Sequence, residues 1–285
     1  MQVLKTMTEV RGICTMQRAK GAKIGLVPTM GALHAGHASL IKAASTENDF
    51  VIVSVFVNPT QFAPTEDLSA YPRTLDADCI LAEQMGADAV FAPTAEEMYP
   101  FGQGSAWVEV KGHITEILCS RSRPTHFRGV TTIVAKLFNI VQPDQAYFGQ
   151  KDGQQAQIIT RMARELFMPI DVRVMPIVRE VDGLALSSRN VYLSREERVA
   201  ALVLSQSLEK ARELVEQGEK NANSLLAEIR RMIGEEPLAI IDYAEIYSFP
   251  ELTEINADMT GKVFIALAVN IGKTRLIDNI IVEIE

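Results

Sequence analysis

His34 and His37 lie three residues apart in P-T-M-G-A-L-H-A-G-H, residues 28–37, directly after the apolar run 24–27. The junction has the composition of a phosphate site. Gly31 and Gly36 let an anion approach the main chain, and backbone N–H groups at the start of the following helix, with Leu40, Ile41 and Ala44 on its apolar face, favour negative charge there. Residues three apart on a helix share a face, so both imidazoles can act on one ligand, and imidazole is a donor that titrates near neutrality. The same spacing allows a plain helix start with two incidental histidines. A zinc pair is poorly served, because the i, i+4 spacing is missing and Cys14, Cys79 and Cys119 are all distant in sequence.

Four further segments carry side chains suited to a nucleotide or a small polar acid. Asn58, Pro59, Thr60 and Gln61 place two amides, each donor and acceptor, after a second apolar run, or else form a simple Asn-Pro turn. Arg121, Arg123, His126 and Arg128 could grip a phosphate or carboxylate through guanidinium forks, although a solvated basic loop is the commoner fate of such a cluster. In Gly149, Gln150, Lys151, Asp152, the glycine permits close approach and Asp152 can cap a helix or meet a sugar hydroxyl. Lys151 at the positive end of that helix asks for an anion. Ser187, Ser188 and Arg189 can clamp a phosphate at a hinge, or make a Ser-rich interdomain turn.

The elements that must hold these groups follow a βαβ rhythm. Strand-length apolar runs at 24–27, 51–57, 89–91, 145–148 and 172–175 alternate with helical periods at 75–85, 130–141 and 158–166. Buried parallel strands flanked by helices predict an α/β, doubly wound sheet with ligands at the carboxyl ends of its strands, where Pro28, Asn58 and Gly149 fall. After Arg179 the texture changes. Ser194 and Glu197 make a capping box opening a helix that carries Leu204, Leu208, Ala211 and Val215, and a second helix carries Leu225, Ile229 and Met232. Three strands at 239–247, 263–269 and 276–282 follow, so the expected division is a domain over 1–178 and a smaller α+β domain over 179–285.

Composition excludes several classes. A chain of 285 residues that is 47% hydrophobic has ample core, and a formal net charge of −8 gives no footprint for nucleic acid or an anionic membrane. No apolar run reaches the roughly 18 residues of a membrane span and no signal-like segment opens the chain. Three scattered cysteines suit a reducing compartment, so a cytoplasmic protein is expected.

The chain resembles the pantothenate synthetase family of ATP-dependent pantoate–β-alanine ligases, over almost its whole length. The resemblance rests on V-P-T-M-G-A-L-H-A-G-H at 27–37, F-V-N-P-T-Q-F at 56–62, Y-P-R-T at 71–74, R-P-T-H-F-R-G-V at 123–130, F-G-Q-K-D at 148–152, L-A-L-S-S-R-N at 184–190 and R-L-I-D-N at 275–279. It implies a Rossmann-like nucleotidyltransferase domain with a small C-terminal lid, as a homodimer. It implies that ATP is bound by Met30, Gly31, Ala32, Leu33, His34, Ala35, Gly36 and His37, by Gly149, Gln150, Lys151 and Asp152, by the backbone at Val178, and by Leu186, Ser187, Ser188 and Arg189. His37 would be the acid on the phosphate side, with His34 and Lys151 beside it in catalysis. Gln61 and Gln155 would hold pantoate, Gln61 also lying near β-alanine. The chain departs from the family at Gln150, where Glu is commoner, and at Gly153, where an aromatic is commoner; Val191 looks variable. Loss of the aromatic at Gly153 is expected to loosen the helix start that presents Gln155.

By the same resemblance, pantoate attacks the α-phosphate of Mg-ATP to give pantoyl adenylate and pyrophosphate. The amine of β-alanine then displaces AMP to form pantothenate, a precursor in the coenzyme A pathway. Asp78, Asp152 and water are all open as ligands to Mg²⁺, which commonly binds through substrate phosphates. Two rivals fit the histidine pair alone: an adenylyltransferase that stops at AMP transfer to a phosphate ester, and a nucleotide-binding regulator without chemistry. A redox dinucleotide enzyme finds no G-x-G-x-x-G after the first predicted strand.

Overall fold

A computed structural model describes residues 1–63 and 68–285. Contact density divides the chain into two compact units. The first holds Met1–Lys111, Arg123–Gly149 and Ile158–Pro176; the second holds Gly112–Ser122, Gln150–Gln157 and Ile177–Glu285. The second unit therefore draws in two short stretches that precede residue 177 besides the C-terminal residues.

In the first unit six parallel strands stand in the order β1-β4-β3-β2-β5-β6: β1 (Gln2–Leu4), β2 (Ile24–Thr29), β3 (Phe50–Val55), β4 (Ala89–Phe91), β5 (Gln145–Gly149) and β6 (Asp171–Met175). This is the doubly wound α/β sheet that the periodicity predicts. The chain winds outward from β2 through β3 to β4, then returns to β5 and β6 on the other side of β2, so the topological switch lies between the carboxyl ends of β2 and β5. The helices that alternate with these strands in sequence are α1 (Met7–Ala19), α2 (Ala35–Glu47), α3 (Leu75–Gln84), the single turns α4 (Ala95–Met98) and α5 (Cys119–Ser122), α6 (His126–Val141) and α7 (Gly153–Glu165). The α5 turn and the start of α7 cluster with the second unit. Val27, Ile41, Val51, Val53, Val90 and Tyr147 form the core between α2 and the central strands.

Boundaries depart from the periodic reading at two helix starts. The helix expected from 158 starts at Gly153, and the one expected from 130 starts at His126. β1 and α1 have no counterpart in that reading. β1 is only three residues long and exists through its pairing with β4, from Gln2 on Ala89 to Leu4 on Phe91, while α1 is opened by a Thr6 and Glu9 capping box.

The second unit carries α8 (Arg195–Ala200), α9 (Leu202–Glu216), α10 (Ala222–Gly234) and an antiparallel sheet of β7 (Ala239–Ser248), β8 (Gly261–Ile271) and β9 (Thr274–Ile284), ordered β7-β8-β9. The Ser194 capping box is present, but the helix it opens is interrupted at Ala201 and resumes as α9. Leu204, Leu208, Leu225, Ile229, Val263, Ile265 and Leu267 close this unit's core. Among the described residues no helix is long and apolar enough to cross a membrane.

Candidate active site

The loop that leaves β2 is held open by a buried carboxylate. Asp78, 2% exposed in the first turn of α3, accepts from Ala32 N–H at 3.1 Å and Leu33 N–H at 2.8 Å, and from the Thr74 hydroxyl at 3.2 Å. Thr29 donates its hydroxyl to the Ser54 carbonyl and accepts from Gly31 N–H. Gly31 (φ +85) and Ala32 (φ +50) both adopt left-handed backbone, and a Cβ on Gly31 would stand 2.9 Å from Asp78 Oδ2. Conformation and space both require the glycine.

The two histidines cap α2 reciprocally. His34 is the N-cap residue and its Nδ1 accepts from Gly36 N–H at 3.1 Å, while His37 Nδ1 accepts from His34 N–H at 3.3 Å. The rings lie 4.1 Å apart, centroid to centroid. An Nδ1 that accepts from the backbone puts the proton of a neutral imidazole on Nε2, so each ring then carries its N–H at that nitrogen. The amides of Gly31, Ala32, Leu33, His34 and Gly36 all serve partners within the loop or on Asp78. Those five amides are thus engaged within the protein.

Beyond β3, the 3₁₀ turn Pro59–Gln61 sits on α6, where Gly129 makes room: a Cβ there would stand 2.4 Å from the Thr60 carbonyl oxygen. Asn58, 1% exposed, accepts from Tyr99 Oη at 2.7 Å and from the Thr60 hydroxyl at 3.0 Å, and donates to Gln61 Oε1 at 3.1 Å. These bonds fix the Asn58 amide, which in turn orients Gln61 so that its Nε2 donates to Met30 Sδ at 2.8 Å. Burial pushes the Tyr99 phenol up from its ordinary value, keeping it a hydrogen-bond donor. His126 Nδ1 lies 2.9 Å from the Gln61 carbonyl. The basic segment is dispersed among structural partners: Arg121 on Glu245, Arg123 on His126, Arg128 over Trp107.

In the second unit, Gln150, Lys151 and Asp152 form one 3₁₀ turn directly after Gly149, the last residue of β5. Lys151 Nζ lies 3.6 Å from Asp152. Asn279 of β9 donates to the carbonyls of Gln150 and Lys151 and accepts from Gln150 Nε2. A Cβ on Gly153 would meet the Phe264 ring at 2.8 Å. The aromatic expected at 153 is thus replaced by one from β8, which packs the helix start instead of leaving it loose. Gln155 is half-buried on the first turn of α7, and the buried neighbour Gln154 binds Cys119 N–H and the carbonyls of Ile114 and Ile117. Val178 accepts from Leu186 N–H at 3.0 Å, and Ser187 caps the 3₁₀ helix Ser188–Tyr192 through Arg189 N–H. Leu186, Ser187, Ser188 and Arg189 are half-buried and Val191 is exposed.

Each unit thus carries its own share of the expected residues: Met30–His37, Gln61 and Gly149 in the first, and 150–152, Gln155, Val178 and 186–189 in the second. Asp78, Tyr99 and Asn279 are partners whose roles the sequence did not disclose. Asp78 offered only its acidity, Tyr99 no signal at all, and Asn279 its place in R-L-I-D-N. For Mg²⁺, Asp78 is already committed to the β2 loop, and among the described residues no group of three or more His, Cys, Asp or Glu could hold a metal. Asp152, with its side chain 50% exposed, suits an ion that arrives on phosphates.

Residues 2–281 match the family model described as pantoate-beta-alanine ligase. Among curated relatives, a pantothenate synthetase of Pelotomaculum thermopropionicum is 55% identical over 281 residues, 99% of each chain, and one of Acetivibrio thermocellus is 52% identical over 284 residues, 100% of each chain. Among solved structures, pantothenate synthetase from Thermus thermophilus has a TM-score of 0.92 at 43% identity, covering 98% of this chain and 99% of that one. The Francisella tularensis pantoate-beta-alanine ligase, solved as a complex with beta-gamma ATP and beta-alanine, has a TM-score of 0.79 at 35% identity and covers 98% of this chain and 97% of that one.

Proposed function

The chain belongs to the pantoate-beta-alanine ligase family, and from that premise we propose that it joins pantoate to β-alanine at the expense of ATP through a pantoyl adenylate. A carboxylate oxygen of pantoate attacks the α-phosphorus, the bond to the bridging oxygen breaks, and pyrophosphate leaves. The β-alanine nitrogen then attacks the acyl carbon, AMP departs with the carboxylate oxygen, and the amide of pantothenate forms as the nitrogen loses a proton.

The observation that carries this reading is the reciprocal imidazole cap, which commits both Nδ1 atoms to the backbone and sets the two rings 4.1 Å apart on the switch-point loop. In the first unit His34 and His37 stabilise charge growing on the phosphates, as fixed donors that need no reorganisation. Met30 to Gly36 supply the shaped loop, and Gln61 donates through Nε2 to pantoate. Gly149, at the end of β5, belongs to the first unit; in the second Lys151 adds a cation and Gln150, Asp152, Val178 and Leu186–Arg189 complete nucleotide binding, while Gln155 holds pantoate. Asp152 and water would hold Mg²⁺ brought in on ATP, which would supply charge neutralisation on the phosphates. Residues 179–285 act as the lid over 1–178 that keeps water from the mixed anhydride. A cytoplasmic homodimer belongs to the same proposal, and sedimentation equilibrium reads its mass.

The test is exchange of labelled pyrophosphate into ATP, run without β-alanine. Exchange that requires pantoate, followed by AMP release on adding β-alanine, supports the reading. Exchange without pantoate, or none with it, rejects the adenylate.

A further inference from the structure

Resting on the reading that residues 149–152 and 186–189 bind ATP, we propose that Asp278 and Asn279, adjacent on β9, are positioning residues that hold both nucleotide-binding segments of the second unit in place. Asn279 is 3% exposed, and its amide nitrogen donates to the Gln150 carbonyl at 2.9 Å and the Lys151 carbonyl at 3.0 Å. Its oxygen accepts from Gln150 Nε2 at 3.2 Å. Both amide hydrogens are used, so the orientation of the group is fixed and the turn that carries Lys151 is pinned at two successive carbonyls.

Asp278, 2% exposed, holds the other segment. Its carboxylate takes the Arg179 guanidinium in a bidentate grip, 2.6 Å to Oδ2 and 2.9 Å to Oδ1, and Oδ1 also accepts from Asn279 N–H at 2.8 Å. Arg179 donates further to the Gly183 carbonyl and pairs with Ala185 in an antiparallel bridge. It thereby closes the root of a hairpin whose Leu186 N–H returns to Val178 and whose exit is Ser187 to Arg189. Successive side chains of a strand point to opposite faces, so one dipeptide reaches two segments. Its base is rigid, because β9 pairs with β8 from Thr274 on Ile271 to Ile284 on Gly261 without a shift of register. Buried groups whose hydrogen bonds are all made specify a single arrangement, which is what a preorganised binding loop requires.

Asn279→Asp keeps the volume but sets a carboxylate against two carbonyl oxygens; Arg179→Lys keeps the charge but loses the fork. Two readouts are taken on full-length protein whose thermal melt shows it folded: amide hydrogen exchange, and calorimetric affinity for a non-hydrolysable ATP analogue. Asn279→Asp should accelerate exchange over 150–155 and leave 178–189 as in wild type, Arg179→Lys should do the reverse, and each should weaken analogue binding about tenfold, the scale of one lost buried polar interaction. The β-alanine KM should not move. Should Asn279→Asp fail to fold, Asn279→Ala removes the same donors without adding charge and is expected to shift both readouts the same way. Unchanged exchange in folded variants overturns the positioning role. Altered exchange with wild-type analogue affinity instead overturns the premise that these segments bind ATP.

Discussion

The Asp78 carboxylate accepts the Leu33 amide at 2.8 Å across 45 residues of sequence, and that bond, with its neighbour to Ala32, shapes the loop that carries both histidines. Asp78→Asn replaces one of these acceptors by a donor facing an amide. We predict a loss of about 1–3 kcal/mol in stability, the cost of an unsatisfied buried group. Pantoate-dependent exchange should fall by about a hundredfold, the scale of a small misplacement of catalytic groups. Chemical denaturation and the exchange assay read the two effects separately, and a folded variant with wild-type exchange would sink the claim.

The capping geometry splits the two nitrogens of His37 into different jobs. Asn places its amide near the Nδ1 position and Gln near Nε2. His37→Gln should therefore retain more of the single-turnover rate than His37→Asn, while His37→Asn should retain more stability. His37→Ala should lose about two to three orders of magnitude in adenylate formation. The reverse rate order between Gln and Asn would place the working donor on Nδ1.

Tyr99 acts on Gln61 at one remove, through Asn58. Tyr99→Phe removes one of the bonds that orient the Asn58 amide and, through it, Gln61, so the pantoate KM should rise about fivefold with a smaller change in kcat, given roughly 1 kcal/mol for the lost hydrogen bond. Steady-state kinetics at varied pantoate checks this. A fall in kcat alone would point to a different route.

Gly153 is fixed by the Phe264 ring at 2.8 Å from its absent Cβ. Gly153→Tyr alone should be destabilised by about 1–3 kcal/mol through overpacking. Combined with Phe264→Ala it should recover most of that loss, since the incoming ring fills the vacated space. Additive losses in the double-mutant cycle would show that the two positions do not share one volume.

Tyr147, fully buried between Glu47, Asn48 and Gln145, has its phenol pushed up to about 12 from 10, by burial first and then by the Glu47 hydrogen bond. The protonated form is the one the fold prefers. Its contribution is complete below pH 10 and is lost as pH rises from 10 to about 12, on the order of 2 kcal/mol for a two-unit shift. Tyr147→Phe should lower stability at neutral pH but flatten this alkaline decline. Unfolding free energies measured on both sides of that window decide it, and an equally steep decline in the variant would assign the loss to other groups.

The α/β class was legible because the buried strands β2, β3 and β5 write it as apolar runs. β1 was not, since three residues carry no period and only pairing with β4 makes them a strand. The histidine pair, Lys151 and the Ser-Ser-Arg segment stood out through residue type and spacing. What held them did not: Asp78, Tyr99, Phe264 and Asn279 act across long sequence separations, and their chemistry is visible only once the fold supplies their partners. The loop's amides show the same limit. Residue type alone assigns them to the ligand, whereas the cap and Asp78 use most of them internally.

Oxygen tracing tests the central claim most directly. Pantoate labelled with ¹⁸O in its carboxylate is turned over with ATP and β-alanine, and the nucleotide and phosphate products are analysed by mass spectrometry. Attack on the α-phosphorus predicts one label per AMP and none in pyrophosphate. Label in inorganic phosphate with ADP as the nucleotide product, or unlabelled AMP, would contradict the pantoyl adenylate.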